Sequence, residues 1–280
     1  MDPALIAALA AVVGVIVTVW RQLAQQAADR RNRLDDKFIS IVGNLGDKST
    51  AVQASAVVSI INFLKPQYRD FHDQVFMVLL VNLKLKRPNI INNILVNGFE
   101  KAAQMRLKPG RDSNTQSELD LSRCNLYHID LSGLDLSNVD LAYTKMQNSN
   151  LTGAILFRVQ GIELNLEKAR LSRANMEEAR LNKACLRDAQ LHDARLVSAT
   201  LKGADLTRTE FYKAKLQGAH FEGACINGAR FEQANLSDAI FKGIDDIDEK
   251  TLKSISRAEN WRKAHFDKDT RRRLQEIAGV

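Results

Sequence analysis

Disulfide chemistry, metal chemistry and excess charge of one sign are all scarce in this 280-residue sequence. Its three cysteines, Cys124, Cys185 and Cys225, are too few to staple a fold of this size. The five histidines (His72, His128, His192, His220 and His265) share no metal-ligand spacing. No glycine loop cradles a phosphate, and the acid pairs Glu177-Glu178 and Asp245-Asp246 read as surface charge. No catalytic residue, cofactor or metal ligand is therefore assigned, and an enzyme is not expected. Only four prolines occur, none of them between Leu119 and Asp245, so every amide in that long stretch is free to join a ladder. Charge is balanced there too, with 16 Lys and Arg against 17 Asp and Glu over residues 118–245. The remainder carries 24 against 16, which accounts for the overall +7.

What fills the proline-free stretch is a five-residue beat. Large apolar residues stand at Leu121, Leu126, Leu131, Leu136, Leu141, Met146, Leu151 and Leu156. After a lapse at Gly161 they continue at Leu166, Leu171, Met176, Leu181, Leu186, Leu191, Leu196, Leu201 and Leu206. Phe211, Leu216, Phe221, Ile226, Phe231, Leu236 and Phe241 close the run, so 24 of 25 beats are met. Neither the helical period of about 3.6 nor the strand period of about 2 gives this pattern. A chain that turns a corner after every repeat does, with four sides to a coil. The beat residue and a small partner two positions earlier then point inward; from Ala169 to Ala239 that partner is Ala everywhere except Thr209. Seven of the fourteen glycines stand two residues after a beat, where a corner calls for positive φ. Gly161 marks either a bulge or local slip, or a hole in the core.

The segments Ala-Asp-Leu-Thr-Arg at 204–208 and Ala-Asn-Leu-Ser-Asp at 234–238 resemble the pentapeptide-repeat family motif A(D/N)LXX. That resemblance implies a mainly β solenoid, a right-handed quadrilateral β-helix, over residues 113–245. Six coils at ~4.8 Å each would make a rod near ~29 Å long. Cys185 and Cys225 would lie on one side two coils apart, ~9.6 Å and beyond the ~7 Å reach of a disulfide, so free thiols are expected. Cys124 falls at an inward position. The central beat residues Leu121, Leu126, Leu131, Leu136, Leu141, Leu181, Leu186, Leu191, Leu206, Phe211, Phe221, Phe231 and Phe241 form the expected core.

Residues 3–20 contain no charge. Such a segment reaches about 27 Å as a helix, near the thickness of a bilayer core. Residues 1–20 are read as a transmembrane anchor built on Leu5, Ile6, Leu9, Val12, Val13, Val15, Ile16, Val17, Val19 and Trp20. No basic residue precedes the run and no cleavage site follows it, which argues against a signal peptide. It is apolar on every face, which argues against a buried soluble helix. Arg21, Arg30, Arg31 and Arg33 place the following chain on the cytoplasmic side. Residues 21–112 read as helical, with apolar runs at 50–64, 71–85 and 89–105 and Ser49 as an N-cap. In order and helix length they resemble the HEAT-like segment of some membrane-anchored bacterial pentapeptide proteins. Residues 246–280 lose the beat and form a helical tail that covers the end of the column.

The expectation is a single-pass protein of the bacterial inner membrane, its bulk cytoplasmic, acting as a scaffold with a β-helix as docking surface. Its partner is a protein or further copies of itself, with the membrane engaged through the N-terminal helix. Alternatives are an accessory subunit of a channel or transporter, and a topoisomerase-binding DNA mimic of the kind attributed to some pentapeptide proteins. The neutral rod argues against the mimic and against nucleic-acid binding.

Overall fold

The computed structural model describes the backbone of residues 3–109 and 119–279, with side chains except those of residues 3–17 and 19. The chain forms two compact units, Met1–Asn62 and Phe63–Val280. In the first, α1 (Pro3–Gly43) runs unbroken for 41 residues, roughly 60 Å at ~1.5 Å per residue. A 3₁₀ turn (Asn44–Gly46) leads to α2 (Thr50–Asn62), which packs on that turn and on α1. The Val52 amide donates to Ser49 Oγ at 3.5 Å, the N-cap that Ser49 suggests. The expected anchor side chains from Leu5 to Val17, and Val19, lie outside the described residues; Trp20 is 70% exposed. Among the described residues, no helix is long and apolar enough to cross a membrane.

The second unit is a column closed at both ends. Backbone pairing joins residue i to residue i+20 in parallel, from Asp120 with Asp140 to His220 with Ile240. Twenty residues per coil divided by a five-residue beat gives four sides. Each corner is a β-turn closed by the amide three residues after a beat, as from Cys124 to Leu121 at 3.3 Å. The second residue after every beat has positive φ, whether Gly133 (66°), Asn138 (61°) or Arg173 (61°). Glycine is thus an option at these corners and not a condition for them. A left-handed non-glycine residue costs roughly 1–2 kcal/mol. Its amide is also a ladder rung, as Arg173 to the His192 carbonyl at 2.8 Å, and the interlocked ladder holds the strained angle in place.

Gly161 is neither bulge nor open hole. Its amide reaches the Arg180 carbonyl at 2.8 Å, so the register passes through unchanged. A Cβ added at Gly161 would sit 2.8 Å from Leu181 Cδ2 and 3.1 Å from Leu164 Cδ2. Leu164 occupies an inward partner position, where most coils below it carry Ala, and its bulk fills the space a beat residue would take.

The C-terminal coils carry a phenylalanine column. Phe211 stacks on Phe231 at 5.1 Å and Phe221 on Phe241 at 4.5 Å, and the two stacks meet edge-on. The tail then imitates one more coil. β1 (Ile240–Phe241) pairs in parallel with β2 (His265–Phe266), and Phe266 extends the stack onto Phe241 at 5.1 Å. Between them α5 (Glu249–Ser256) supplies side-chain acceptors to otherwise orphaned amides. Gly228 donates to Asp248 Oδ2 at 2.6 Å and Thr251 Oγ1 at 2.8 Å, and Phe231 donates to Ser254 Oγ. Gly243 donates to Asp267 Oδ2 at 2.8 Å, just before α6 (Lys268–Ala278). The open sheet edge is covered in this way.

At the other end α3 (His72–Leu83) and α4 (Asn89–Arg106) pack as a hairpin and serve the first coil. Asn125 donates to the Leu83 carbonyl at 3.3 Å and Asp135 to the Leu107 carbonyl at 2.8 Å, while Asp130 donates to Glu100 Oε2 at 3.0 Å. Lys84 Nζ meets Asp120 at 2.7 Å and holds that carboxyl down to about 2, against the opposing effect of its own partial burial. These helices therefore cap the column, and the chain's division into compact units falls ahead of them, between Asn62 and Phe63.

Candidate docking surface

Inward positions consume the apolar residues. Leu121, Leu126, Leu131, Leu136, Leu141, Leu181, Leu186, Leu191, Leu206, Phe211, Phe221, Phe231 and Phe241 are each at most 1% exposed. Burial at Cys124 pushes its thiol up to about 12, which leaves it protonated and inert. With the interior filled, chemistry is left to the outside. Among the described residues no group of three or more His, Cys, Asp or Glu could hold a metal ion.

The residue just before each beat forms the outward row of a side. Where it is Asp or Asn, Asn125 excepted, its side chain accepts the amide two residues on, which the ladder leaves unused. Asp120 takes Ser122 at 2.8 Å, Asp130 takes Ser132 at 2.9 Å, Asn165 takes Glu167 at 3.0 Å and Asp205 takes Thr207 at 3.0 Å. This is an Asx-type turn repeated down the column. It explains why Asp or Asn recurs before the beat, a role that the spacing alone does not assign. Burial raises the Asp130 and Asp205 carboxyls, but these hydrogen bonds and nearby Asn150 and Arg187 leave both below the ordinary range.

Many of the charges outside are paired from coil to coil. Arg158 meets Glu178 at 2.7 Å, Arg187 meets Asp205 at 2.6 Å, and Arg195 meets Glu177 at 2.6 Å. Arg208 meets Asp188 at 2.6 Å and Lys202 meets Glu222 at 2.9 Å. No outward row is acidic. One reads Asp130, Asn150, Arg170, Gln190, Glu210 and Arg230, and another Asp135, Ile155, Asn175, Arg195, Lys215 and Asn235.

One corner differs. Among the described residues of the column, Tyr143 (47%) and Ile162 (40%) are the large apolar side chains that stay well exposed. They are neighbours: the Tyr143 amide donates to the Ile162 carbonyl at 2.9 Å, and Arg123 lies over the Tyr143 ring at 5.3 Å.

A family model described as pentapeptide repeats matches residues 120–156, 162–192, 184–223 and 214–245. These residues are pentapeptide repeats. The matched ranges break between 156 and 162, beside the Gly161 substitution in the beat. The chain is also similar to several solved pentapeptide-repeat structures. HetL, involved in heterocyst differentiation regulation in the cyanobacterium Nostoc sp. strain PCC 7120, is 25% identical over 52% of this chain and 86% of its own, with a TM-score of 0.26. QnrB1, a plasmid-mediated fluoroquinolone resistance protein, is 17% identical over 56% of this chain and 86% of its own (TM-score 0.26). A pentapeptide repeat protein of the Arabidopsis thaliana thylakoid lumen is 24% identical over 47% and 77% (TM-score 0.23). Comparison with curated protein sequences gives no match. Pentapeptide-repeat proteins in general are structural or interaction proteins, not enzymes.

Outside the repeats, Arg21, Arg30, Arg31 and Arg33 are all exposed along α1. The pentapeptide column does not bring its thiols together into a site. Cys185 is half-buried, and exposed Cys225 contacts Thr207 Oγ1 at 3.3 Å.

Proposed function

We propose that this chain is a non-enzymatic scaffold, tethered to the cytoplasmic face of a bacterial cell membrane by residues 1–20, that docks a protein on its pentapeptide column. The observation that carries the docking role is the Arg123, Tyr143 and Ile162 corner. Elsewhere many of the outward charges meet one another in ion pairs. Here an arginine and two apolar side chains stand together on a backbone fixed by ladder hydrogen bonds. Tyr and Arg are enriched among the residues that dominate interface energies, and a preformed surface loses little entropy on binding. The tether rests on the uncharged stretch at 3–20 and on the cluster Arg21, Arg30, Arg31 and Arg33 that follows. The unbroken α1 is consistent with a stalk leading away from such a tether.

The test is purification of the full-length protein in mild detergent from native membranes, beside a Tyr143→Ala/Ile162→Ala variant and a variant lacking residues 1–20. A stoichiometric protein partner retained without residues 1–20 but lost on the double substitution supports the reading. Failure of the full-length chain to sediment with membranes would refute the tether. A partner lost when residues 1–20 are exchanged for an unrelated transmembrane helix would point instead to an accessory subunit of a membrane channel or transporter. Self-association through the corner would appear as a larger species by light scattering, abolished in the double variant. The mixed outward rows and their ion pairs weigh against a DNA mimic, which needs a continuous acidic face.

A further inference from the structure

The helices that cap the first coil border an open, groove-like cavity of about 590 Å³, in the size range of ligand pockets. Its lining brings Arg69, His72, Arg106 and Lys108 together from the 3₁₀ turn Pro66–Phe71, the start of α3 and the end of α4. Three of these are permanent cations, and the carboxylate among the lining residues is Asp73, so the cavity carries net positive charge without counting His72.

Two features go beyond a chance cluster of surface basic residues. Arg106 is held in place, its guanidinium 4.6 Å over the Phe76 ring. Its Nη1 is closed to solvent and makes no hydrogen bond, although Asp73 Oδ1 lies 3.3 Å away. A solvent-shielded guanidinium nitrogen whose ion-pair partner makes no hydrogen bond to it would gain from an incoming oxygen in line with its N–H. Asp73 is a poor internal substitute, since its side chain is 85% exposed to water. His72 is also fixed, its Nε2–H directed to the Lys65 carbonyl at 3.3 Å.

We propose that this cavity binds a phosphoryl group through Arg69, Arg106 and Lys108. A planar guanidinium presents paired donors that match phosphate oxygens, and the negative charge of a phosphoryl group offsets the surplus positive charge. The group could arrive as a free phosphate or as the headgroup of an anionic lipid, and one assay separates the two. Hydrogen exchange is measured on the full chain in neutral detergent micelles with three additions: inorganic phosphate, phosphatidylglycerol, and acetate at matched ionic strength. Saturable protection confined to residues 66–73 and 102–108 is expected with phosphate if the ligand is free, or with phosphatidylglycerol alone if it is a headgroup.

Arg106→Gln could disturb the stack on Phe76, so the deciding variant is Arg69→Gln/Lys108→Gln, both at exposed positions. It should weaken the apparent affinity at least tenfold, whereas Arg173→Gln on the column should leave it unchanged. Absence of protection with both phosphorus compounds overturns the proposal. So does equal protection by acetate, or binding undiminished in the double variant. The tether and docking readings do not enter this test.

Discussion

Replacing Gly161 by Leu restores the beat in the sequence, and a sequence argument alone expects a more stable column. The structure expects the opposite. The space a beat residue needs is held by Leu164, with Cδ2 3.1 Å from the hypothetical Cβ, and by Leu181, with Cδ2 at 2.8 Å. The Leu181 and Leu164 methyl groups would have to move for a Cβ alone, and three further carbons have nowhere to go. Overpacking of this kind costs about 1–3 kcal/mol. Leu164→Ala alone removes a side chain only 1% exposed, leaves a cavity beside Gly161, and costs about 2–5 kcal/mol. Together the two changes recreate the Leu-and-Ala combination of the coils that follow, as at Leu181 and Ala184. The double variant should therefore return close to the parent, with a coupling of at least about 2 kcal/mol relative to the summed single effects. Reversible urea unfolding followed by far-UV circular dichroism gives the four midpoints and slopes, and the slopes check that cooperativity is retained along the repeats. A Gly161→Leu variant more stable than the parent, or a double variant at the sum of the singles, would refute the exchange of volume between these positions.

Other outcomes follow from the same geometry. Leu186→Asp places a carboxylate in a dry core at a fully buried position and should cost several kcal/mol; a melting midpoint equal to the parent's would disprove the inward assignment. Arg187→Ala loses an exposed pair with Asp205 and should leave the melting midpoint unchanged within error. Maleimide labelling followed by mass spectrometry should modify Cys225 first and Cys185 more slowly. Cys124, with its thiol pushed up to about 12 by burial, should react only on unfolding. Burial raises the Asp248 carboxyl, but the Thr251 and Gly228 amides and the Thr251 hydroxyl outweigh this and leave it lowered. Its stabilising contribution is therefore present above the unfolded carboxylate range near pH 4 and is lost as pH falls through the lower folded value. Asp248→Asn should accordingly be less stable than the parent at neutral pH, with the gap closing in acid; a gap independent of pH would rule out the charged cap.

The five-residue beat by itself determined the column. Side-chain period dictates which residues share a face, and only a chain that turns every fifth residue buries all of Leu121 to Phe241 at once. The coil of twenty, the helical runs at 50–64, 71–85 and 89–105, and the tail were legible for the same reason: each is a local pattern, and the helices it marks end within two residues of those bounds. Contacts between distant positions were not legible. Nothing near Gly161 in the sequence says that Leu164 turns into its space, because the exchange depends on a three-dimensional volume shared with Leu181 in the next coil. The positive φ at every corner was visible only where glycine signalled it, since at Arg173 or Lys183 the ladder imposes the angle on residues that do not prefer it. The duty of α3 and α4 also waited on tertiary structure. An orphaned amide at Asn125 or Asp135 exists only once the first coil has formed, and the acceptors it finds at Leu83 and Leu107 come from a different kind of fold. The exposed corner at Tyr143 and Ile162, and the basic cavity around Arg106, were likewise decided by which residues the folded chain leaves uncovered together.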